Sequence, residues 1–307
     1  MRAADWLMLT LLAAIWGASY LFIRIAAPAV GPLPLMATRV LLAGLVLAAL
    51  AAALGRLPTL RGRWRDYLLL GLVNAAVPFT LIAAAELYLT ASLAGIITTT
   101  APLFSALVAA VWLKDPLTPR TVLGLLLGIL GVAVLLGWSP LPLGPELYLS
   151  VAAMLAAAFC YGLGAVYTRA AFRGVPLLGL ATAQQLAAGA ELLGPAAATV
   201  GAPWPQPPSV VLSVLALALL STALAYLIYF RLIERIGPTR ALMVSILVPF
   251  FGVLWGVVFL GETVTPGTFV GLGIVLGGVV LAAGVRPRLL PTRRASPTPG
   301  SPAPGAG

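Results

Sequence analysis

A small set of polar side chains inside long apolar stretches carries the chemistry that this sequence offers. The 307 residues include no histidine and a single cysteine, Cys160, so the commonest general base and metal ligand is absent and no intramolecular disulfide can form. The patterns H-E-x-x-H, G-x-S-x-G and G-x-x-x-x-G-K-[ST] are all absent from the sequence. We therefore predict a protein that is not an enzyme, binds no metal or other cofactor, and does not use ATP.

Polar and aromatic residues near the middle of these stretches are candidates for contact with a small molecule. A charge at the centre of a bilayer costs about 2.5–3.5 kcal/mol on insertion scales, so polar groups at that depth should face protein or a wet cavity. An aromatic ring there can stack on a substrate while its polar edge forms a hydrogen bond, although packing against lipid is the alternative for each ring. The predicted substrate-binding residues are Trp16, Tyr20, Asn74, Pro78, Thr98, Tyr161, Gln185, Tyr226 and Ser245.

Three prolines inside the apolar stretches, Pro78, Pro102 and Pro249, are predicted gating hinges. A proline removes one helix hydrogen bond and frees a backbone carbonyl. Asn74 lies one turn before Pro78, and Ser245 lies one turn before Pro249. Freed backbone groups in both parts of a chain are typical of the discontinuous helices that form transporter binding sites. For Asn74 the sequence leaves two alternatives open, a ligand contact or a hydrogen bond between helices.

Four charged residues within or beside the apolar stretches need a partner or a route to water. Arg39 and Glu191 are expected at similar depth, and we predict that they form a charge pair or coupling site, neutralising each other or a zwitterionic substrate. Arg24 and Glu86 lie near the ends of their stretches, so we expect their side chains to reach the headgroups. Because Glu191 is the one deep carboxylate, the sequence leaves open whether transport is coupled to protons or is facilitated diffusion.

The composition defines the elements that must position these residues. Hydrophobic residues make up 61% of the chain and charged residues 8%, whereas soluble globular chains carry about 25% charged residues. A bilayer core of about 30 Å needs roughly 20 apolar residues per helix. We therefore predict an all-α membrane protein with ten transmembrane helices, over 6–27, 32–54, 66–85, 91–113, 119–137, 146–168, 176–200, 209–230, 237–260 and 266–284.

The basic residues predict the orientation of the chain. Of the 18 Lys and Arg, Arg24 and Arg39 lie well inside the predicted helices, and the others lie at the termini, in alternate connections or in the first turn of the helix that follows such a connection. The positive-inside rule then places both termini in the cytoplasm and the protein in the cytoplasmic (inner) membrane. A net charge of +10 distributed in this way predicts no nucleic-acid partner. We expect the Pro- and Gly-rich residues 286–307 to form a disordered cytoplasmic tail near anionic headgroups.

The chain repeats its own pattern at an offset of about 145–147 residues. Trp16-Gly17 and Arg24 correspond to Tyr161-Gly162 and Arg169, and Arg39 corresponds to Gln184. Pro102 corresponds to Pro249, Asp115 to Glu262, and Gly124 and Gly131 to Gly271 and Gly278. Each copy holds five predicted helices, so the second copy enters the membrane upside down relative to the first. We predict two inverted repeats, residues 1–140 and 141–285, around a central cavity, an arrangement characteristic of secondary transporters.

Several of these motifs resemble those of one transporter family. The residues that carry the resemblance are Trp16-Gly17 eight residues before Arg24, then Arg39, the stretch from Pro102 to Asp115, and the stretch from Pro249 to Glu262-Thr263. Together with ten helices and the inverted repeat, they resemble the drug/metabolite transporter superfamily, EamA type, over about residues 5–285. Within that superfamily the chain is most similar to the amino-acid exporters, including the aromatic branch. The resemblance implies a basket of helices around a central cavity, lined mainly by the first, third, fourth, sixth, eighth and ninth helices.

These features predict a secondary transporter that exports amino acids or similar small metabolites by alternating access at a midplane cavity. The alternative is a flippase or exporter of lipids or hydrophobic drugs with the same fold, because it would use a similar cavity. The predicted partners are a small-molecule substrate, with amino acids favoured, and membrane lipid. Two motifs, Gly124-x-x-x-Gly128 and Gly273-x-x-x-Gly277, allow close helix contact. We expect internal packing within a monomer, with a homodimer seam as the alternative.

Overall fold

The computed structural model describes residues 1–139, 141–142, 144–199 and 205–282, and in these ranges it contains helices and no strands. The elements are α1 (Ala3–Val30), α2 (Pro32–Ala53), α3 (Trp64–Gly71), π1 (Leu72–Ala76), α4 (Val77–Ala85), α5 (Ala91–Thr98), α6 (Ala101–Trp112), α7 (Pro119–Gly137), α8 (Pro145–Ala171), α9 (Leu177–Thr199), α10 (Pro208–Ala218), π2 (Leu219–Leu224), α11 (Ala225–Ile236), α12 (Pro238–Ala241), α13 (Val244–Leu260) and α14 (Pro266–Ala282). The prediction of an all-α protein is confirmed for the described residues. The predicted tail, residues 286–307, lies outside them.

Seven helical stretches of the described chain are long and apolar enough to cross a membrane. They are α1, α2, α3 to α4, α5 to α6, α7, α8 and α10 to α11, while α13 and α14 are apolar but shorter. Large apolar side chains also remain exposed to the surroundings, among them Leu7, Val111, Ile129, Leu149 and Leu212. A surface of this kind suits lipid rather than water. The chain is therefore a multi-pass membrane protein.

Two of the long helices are interrupted by a π-helical turn. At π1, the amide of Val77 donates to the carbonyl of Leu72, which lies five residues earlier in the chain. Val77 directly precedes Pro78. At π2, the hydroxyl of Thr222 donates to the carbonyl of Leu217 at 2.8 Å, also five residues back. The two segments begin 147 residues apart. Such turns are often found at functional sites.

The predicted hinge prolines occupy different helix positions. Pro78 lies at the start of α4, immediately after π1, and Pro102 lies in the first turn of α6, after a break at Thr99-Thr100. Pro249 lies inside α13. Because Pro78 follows π1 without a break in the α3 to α4 stretch, it removes a helix hydrogen bond as Pro249 does, whereas Pro102, in the first turn after a break, removes none. Their role as gating hinges stays a prediction.

The interior forms where helices from the beginning and the end of the chain pack together. α2 packs along α9, α1 packs along α13, α7 packs along α14, and α8 packs against α4 and α6. The contact between α2 and α9 is reciprocal, because Gly44 adjoins the side chain of Leu186 and Gly189 adjoins the side chain of Leu41. A β-carbon at either glycine would collide with the facing leucine.

The two small-residue motifs are placed differently. A β-carbon at Gly124 would lie 2.5 Å from the carbonyl oxygen of Gly278, so α7 and α14 approach each other at the backbone. Gly273 and Gly277 face open space instead. The expected internal packing therefore describes the first motif, and the glycines of α14 that meet α7 are Gly271 and Gly278.

Candidate functional site

A hydrogen-bonded chain of three side chains crosses the interior between π1, α9 and α11. Gln184 accepts a hydrogen bond from Nδ2 of Asn74 at 2.9 Å and donates from Nε2 to the hydroxyl of Tyr226 at 3.2 Å. Gln184 is buried, whereas Asn74 and Tyr226 are partly exposed. The amide of Gln184 therefore uses both its acceptor and its donor, as a buried polar group in apolar surroundings must.

Arg39 on α2 is a buried cation, with 6% of its surface exposed. Its Nε donates to Oγ1 of Thr222 at 3.0 Å, and its Cζ lies 4.0 Å from the centroid of the Phe79 ring. Nη1 contacts the sulfur of Met36 at 3.9 Å, which is a weak acceptor. Among the described residues no carboxylate oxygen lies within 4.0 Å of the guanidinium. Arg39 is thus held by a ring face and a hydroxyl, with no counter-ion in direct contact among the described residues.

Aromatic residues complete the surroundings of Arg39. The rings of Phe79 and Tyr161 meet edge to face with 6.3 Å between centroids. Tyr20, Tyr161, Tyr226 and the buried carboxyl group of Glu86 lie close enough to interact electrostatically with the guanidinium. We refer to the residues joined by these contacts as the central cluster, which consists of Tyr20, Arg39, Asn74, Phe79, Tyr161, Gln184, Thr222 and Tyr226. It unites four of the predicted substrate-binding residues with Arg39, and it offers apolar faces beside polar tips.

Four other predicted binding residues are not members of the central cluster, although one of them, Thr98, interacts with the hydroxyl of Tyr20 at its edge. The ring of Trp16 contacts that of Tyr229 in a tilted arrangement, with 5.3 Å between centroids and 52° between planes. The hydroxyl of Thr98 donates at 2.8 Å to the carbonyl four residues before it, as threonines in helices often do. Pro78 is buried directly after π1, and Ser245 is partly exposed on α13. A role for these residues in substrate binding stays a prediction.

The two adjacent glutamines of α9 have different surroundings. Gln184 belongs to the central cluster, but Gln185, the one predicted to bind substrate, is fully buried and neither of its amide atoms has a hydrogen-bond partner. Neighbouring helical residues point about 100° apart, so a single rotation of α9 cannot direct both side chains to one site. In the sequence, the one feature that distinguished Gln184 from Gln185 was its correspondence to Arg39 in the repeat.

The predicted pair of Arg39 and Glu191 is not formed. Oε2 of Glu191 is buried without a hydrogen-bond partner. Arg39 is engaged by Thr222 and Phe79, so its side chain extends toward π2 and α4 rather than toward this carboxylate. Mutual neutralisation of the two residues is therefore wrong in this structure.

The carboxylate of Glu262 connects two distant parts of the chain at the start of α5. We call this end of the α5 to α6 stretch the Glu262 end. Oε1 of Glu262 accepts from the amide of Ala91 at 2.6 Å, and Oε2 accepts from the amide and the hydroxyl of Ser92 at 3.0 and 2.6 Å. The first amides of a helix lack partners within the helix and carry partial positive charge. Glu262, from the connection between α13 and α14, therefore ties this connection to the start of α5.

Arg24 and Glu86 also belong to the Glu262 end, and the prediction that Glu86 reaches the headgroups is wrong, whereas for the partly exposed Arg24 it stays a prediction. Nη1 of Arg24 donates to the carbonyl oxygens of Glu86 and Leu87 at 2.7 and 3.2 Å. The side chain of Glu86 is fully buried, and neither carboxyl oxygen has a hydrogen-bond partner. Free carbonyls after the last turn of α4 thus provide the acceptors for Arg24, where a cation also complements the helix dipole.

The opposite end of the α5 to α6 stretch, which we call the Asp115 end, contains a different arrangement. Oδ2 of Asp115 pairs with Nη1 of Arg169 at 3.1 Å, and both side chains are about half exposed. Neither Asp115 nor Glu262 was among the predicted site residues. Their correspondence in the sequence repeat was the feature that could have identified them.

Other surface features lie apart from the central cluster. Two shallow depressions are present, one beside Trp138 and Gly267 and the other beside Pro32 and Thr80. Both are lined mainly by apolar atoms and include no residue of the central cluster. Within the described ranges, no three His, Cys, Asp or Glu side chains cluster as a metal site would require.

Known proteins resemble this chain along most of its length. A probable terminal-alkyne amino-acid exporter from Streptantibioticus cattleyicolor is 30% identical over 295 residues, covering 93% of this chain and 94% of the relative. An uncharacterized inner membrane transporter, YedA, from Escherichia coli K12 is 28% identical over 271 residues, covering 87% and 86%. A solved crystal structure that is 22% identical has a TM-score of 0.66 over 92% of this chain and 97% of the other, which shows a shared fold.

A family profile gives the same result. The profile of the EamA-like transporter family matches residues 5–137 and 149–284. These two matches leave out the first residues, a short connection and the tail. The family resemblance seen in the sequence motifs is confirmed, and the chain belongs to the EamA-like transporter family.

Proposed function

We propose that this chain is a secondary transporter that exports amino acids or similar small metabolites across the cytoplasmic membrane by alternating access at the central cluster. The observation that carries the proposal is the origin of the cluster, because Arg39 and Asn74 come from the first half of the chain while Gln184 and Tyr226 come from the second. A polar site shared between two halves can be opened to either side when one half moves relative to the other.

The proposal includes ten transmembrane helices in two inverted five-helix repeats, residues 1–140 and 141–285, around a central cavity. Corresponding π turns support this arrangement, since π1 and π2 begin 147 residues apart and both contribute to the central cluster. Reciprocal packing also supports it, because Gly17 adjoins Phe251 just as Gly162 adjoins Phe104. The match of one family profile to two successive stretches is a third support.

Corresponding helix ends provide further support for the repeat. The amide of Asp115 donates to the carbonyl of Ala109 at 3.3 Å, and the amide of Glu262 donates to the carbonyl of Gly256 at 3.1 Å. Both bonds span six residues and end a long helix in the same way. The residues before them, Lys114 and Gly261, both have positive φ, at 57° and 65°. Agreement at this level of backbone detail is expected of two copies of one fold.

Amino acids are the proposed substrates on two grounds. The relative from Streptantibioticus cattleyicolor is named as a probable exporter of a terminal-alkyne amino acid. The central cluster combines a cation, amide groups and aromatic faces, and its members Asn74, Tyr161 and Tyr226 are partly exposed. These groups suit a small molecule with both charged and apolar parts.

We place both termini in the cytoplasm and the protein in the inner membrane. The basic residues support this orientation, and one relative is named as an inner membrane transporter. The Asp115 end is then cytoplasmic and the Glu262 end external. On this reading the hydrogen bonds of Glu262 hold the external side together, and they must break before the cluster opens outward.

The test is transport by the purified protein in proteoliposomes. We expect saturable flux of radiolabelled amino acids. Asn74→Ala and Tyr226→Phe each remove a hydrogen bond of Gln184, so we expect flux to fall about 2- to 10-fold, the equivalent of roughly 0.5–1.5 kcal/mol. Leu149→Ala, at a residue that is 70% exposed on α8, is the matched control and should leave flux unchanged.

Two results would contradict the proposal. Translocation of a fluorescent lipid analogue without amino-acid flux would favour the flippase alternative. Parental flux in both Asn74→Ala and Tyr226→Phe would remove the central cluster from the transport path.

A further inference from the structure

Among the described residues no carboxylate is in direct contact with Arg39, and the buried carboxyl group of Glu86 interacts with its charge only from a longer distance. A guanidinium remains protonated in proteins, and a buried charge is costly unless it is paired. In the described chain the two ion pairs are Arg169 with Asp115 and Arg235 with Asp5, and neither involves Arg39. The ring of Phe79 and the hydroxyl of Thr222 stabilise the cation only in part.

We propose that Arg39 binds the carboxylate of the transported molecule, so that the substrate itself supplies the missing counter-ion. This inference rests on the proposed transport function and adds the substrate class, small monocarboxylates with an apolar part, among them free amino acids. A molecule that lacks the carboxylate is excluded as a good substrate.

The contacts of Arg39 leave one edge of the guanidinium for a ligand. Thr222 occupies Nε, and the ring of Phe79 covers one face at 4.0 Å. Among the described residues, no oxygen lies within hydrogen-bond distance of Nη1 or Nη2, and the sulfur of Met36 at 3.9 Å is their nearest recorded acceptor. The two terminal nitrogens therefore keep N–H donors for a carboxylate in the plane of the guanidinium, the pairing that arginine favours.

The surroundings match the rest of such a molecule. Phe79 and Tyr161 present ring surfaces beside the cation and suit an apolar substituent. Gln184 and Asn74 provide amide oxygens, which accept hydrogen bonds from an ammonium group or another donor. A single guanidinium balances one negative charge, whereas a phosphate ester with two charges would call for a second basic group. Monocarboxylates are therefore the class that fits.

A purely structural role is the competing explanation for Arg39. In that case the guanidinium only joins α2 to π2 and α4 through Thr222 and Phe79. Loss of Arg39 would then lower the flux of every substrate by the same factor. Binding of a carboxylate instead predicts a loss that depends on whether the substrate has one.

The experiment compares acids with their amides in proteoliposomes. L-phenylalanine, L-leucine and L-threonine are each assayed beside their carboxamides, and 3-phenylpropanoate is added as a competitor that has a carboxylate but no amine. For the parent protein we expect the transported acid to exceed its amide about 10- to 100-fold, the range expected for hydrogen bonds to a charged group. We also expect 3-phenylpropanoate to compete.

Arg39→Gln supplies the matched variant, because it resembles Gln184 at the corresponding position of the second half. We expect Arg39→Gln to reduce the flux of the acid to that of the amide. Arg39→Lys keeps the positive charge but loses the paired N–H donors of the guanidinium, so it should retain part of the preference for the acid over the amide. The thermal unfolding midpoint in detergent checks that each variant is folded. If Arg39→Gln does not fold, the comparison of acid, amide and competitor on the parent protein decides the question.

The outcomes separate this inference from the proposed function. Equal transport of acids and amides by the parent protein overturns the inference and leaves amino-acid transport intact. An equal fractional loss for acid and amide in a folded Arg39→Gln protein also overturns it, in favour of a structural role. Absence of flux for all three amino acids overturns the proposed function itself.

Discussion

The Glu262 end and the Asp115 end use corresponding residues in opposite ways. At the Asp115 end the carboxylate and the arginine of the pair bind each other, Asp115 to Arg169 at 3.1 Å. At the Glu262 end the corresponding residues bind backbone instead. Glu262 accepts from the first amides of α5, and Arg24 donates to the carbonyls that follow α4.

The two ends differ in how strongly the corresponding carboxylate and arginine hold neighbouring helices together. Exposed ion pairs contribute about 0–1 kcal/mol, because water competes for both partners. Hydrogen bonds from buried or half-buried amides to a carboxylate are stronger, at about 1.5–3 kcal/mol. The Glu262 end is thus tied across separate helices, whereas the pair of Asp115 and Arg169 is weak enough to exchange. Alternating access would require the two ends to exchange these roles.

Labelling of cysteines provides the largest expected effect, because it is close to all or none. In a Cys160→Ser background, Pro116→Cys and Thr263→Cys place thiols beside Asp115 and Glu262 at exposed positions. If the repeats are inverted, an impermeant maleimide applied to intact cells should modify the cysteine at 263 and not the cysteine at 116. Permeabilised cells, in which both should react, are the control. Modification of both residues from one side of the membrane would rule out opposite placement of the two ends.

Removal of each carboxylate compares the strength of the two ends. We expect Glu262→Ala to lower the free energy of unfolding by about 1.5–3 kcal/mol, because the amides of Ala91 and Ser92 lose a charged acceptor. Asp115→Ala should cost no more than about 1 kcal/mol. Titration of the purified protein with SDS in mixed micelles, followed by circular dichroism, measures both changes.

A conservative variant refines this comparison. Glu262→Gln keeps the size of the side chain and one acceptor oxygen, so its effect should fall between those of the parent and Glu262→Ala. If Asp115→Ala destabilises the protein as much as Glu262→Ala, the two ends are equally strong and the distinction between a tied end and a weak end is wrong.

The hydropathy of the sequence predicted where the helices lie but not where they are interrupted. The predicted ranges 66–85, 91–113 and 209–230 are occupied by helix, yet they contain π1, the break at Thr99-Thr100 and π2, respectively. Apolar composition indicates how long a span is. It carries little information on whether an amide donates four or five residues back, because a stretch that is apolar on every side shows no periodicity that a π turn would shift.

The central cluster shows the same division between what could and could not be predicted. Polarity at mid-depth identified Asn74, Tyr161 and Tyr226, but the rotation of α9, which directs Gln184 rather than Gln185 toward them, depends on packing. Glu262 was missed for a different reason. Two of its three hydrogen bonds come from backbone amides, which every residue except proline carries and which therefore leave no signature in the sequence.

The residues before the two carboxylates provide the smallest and most local comparison. Lys114 and Gly261 have nearly the same positive φ, at 57° and 65°, but only glycine adopts this region without strain. We expect Lys114→Gly to stabilise the protein and Gly261→Ala to destabilise it, each by about 1 kcal/mol. No atom lies within 4 Å of a β-carbon at Gly261, so that change reports the backbone alone. Lys114→Ala, measured by the same SDS titration, separates loss of the lysine side chain from relief of the backbone. Changes of the same sign for Lys114→Gly and Gly261→Ala would mean that the two helix ends are not equivalent, and would remove this support for the repeat.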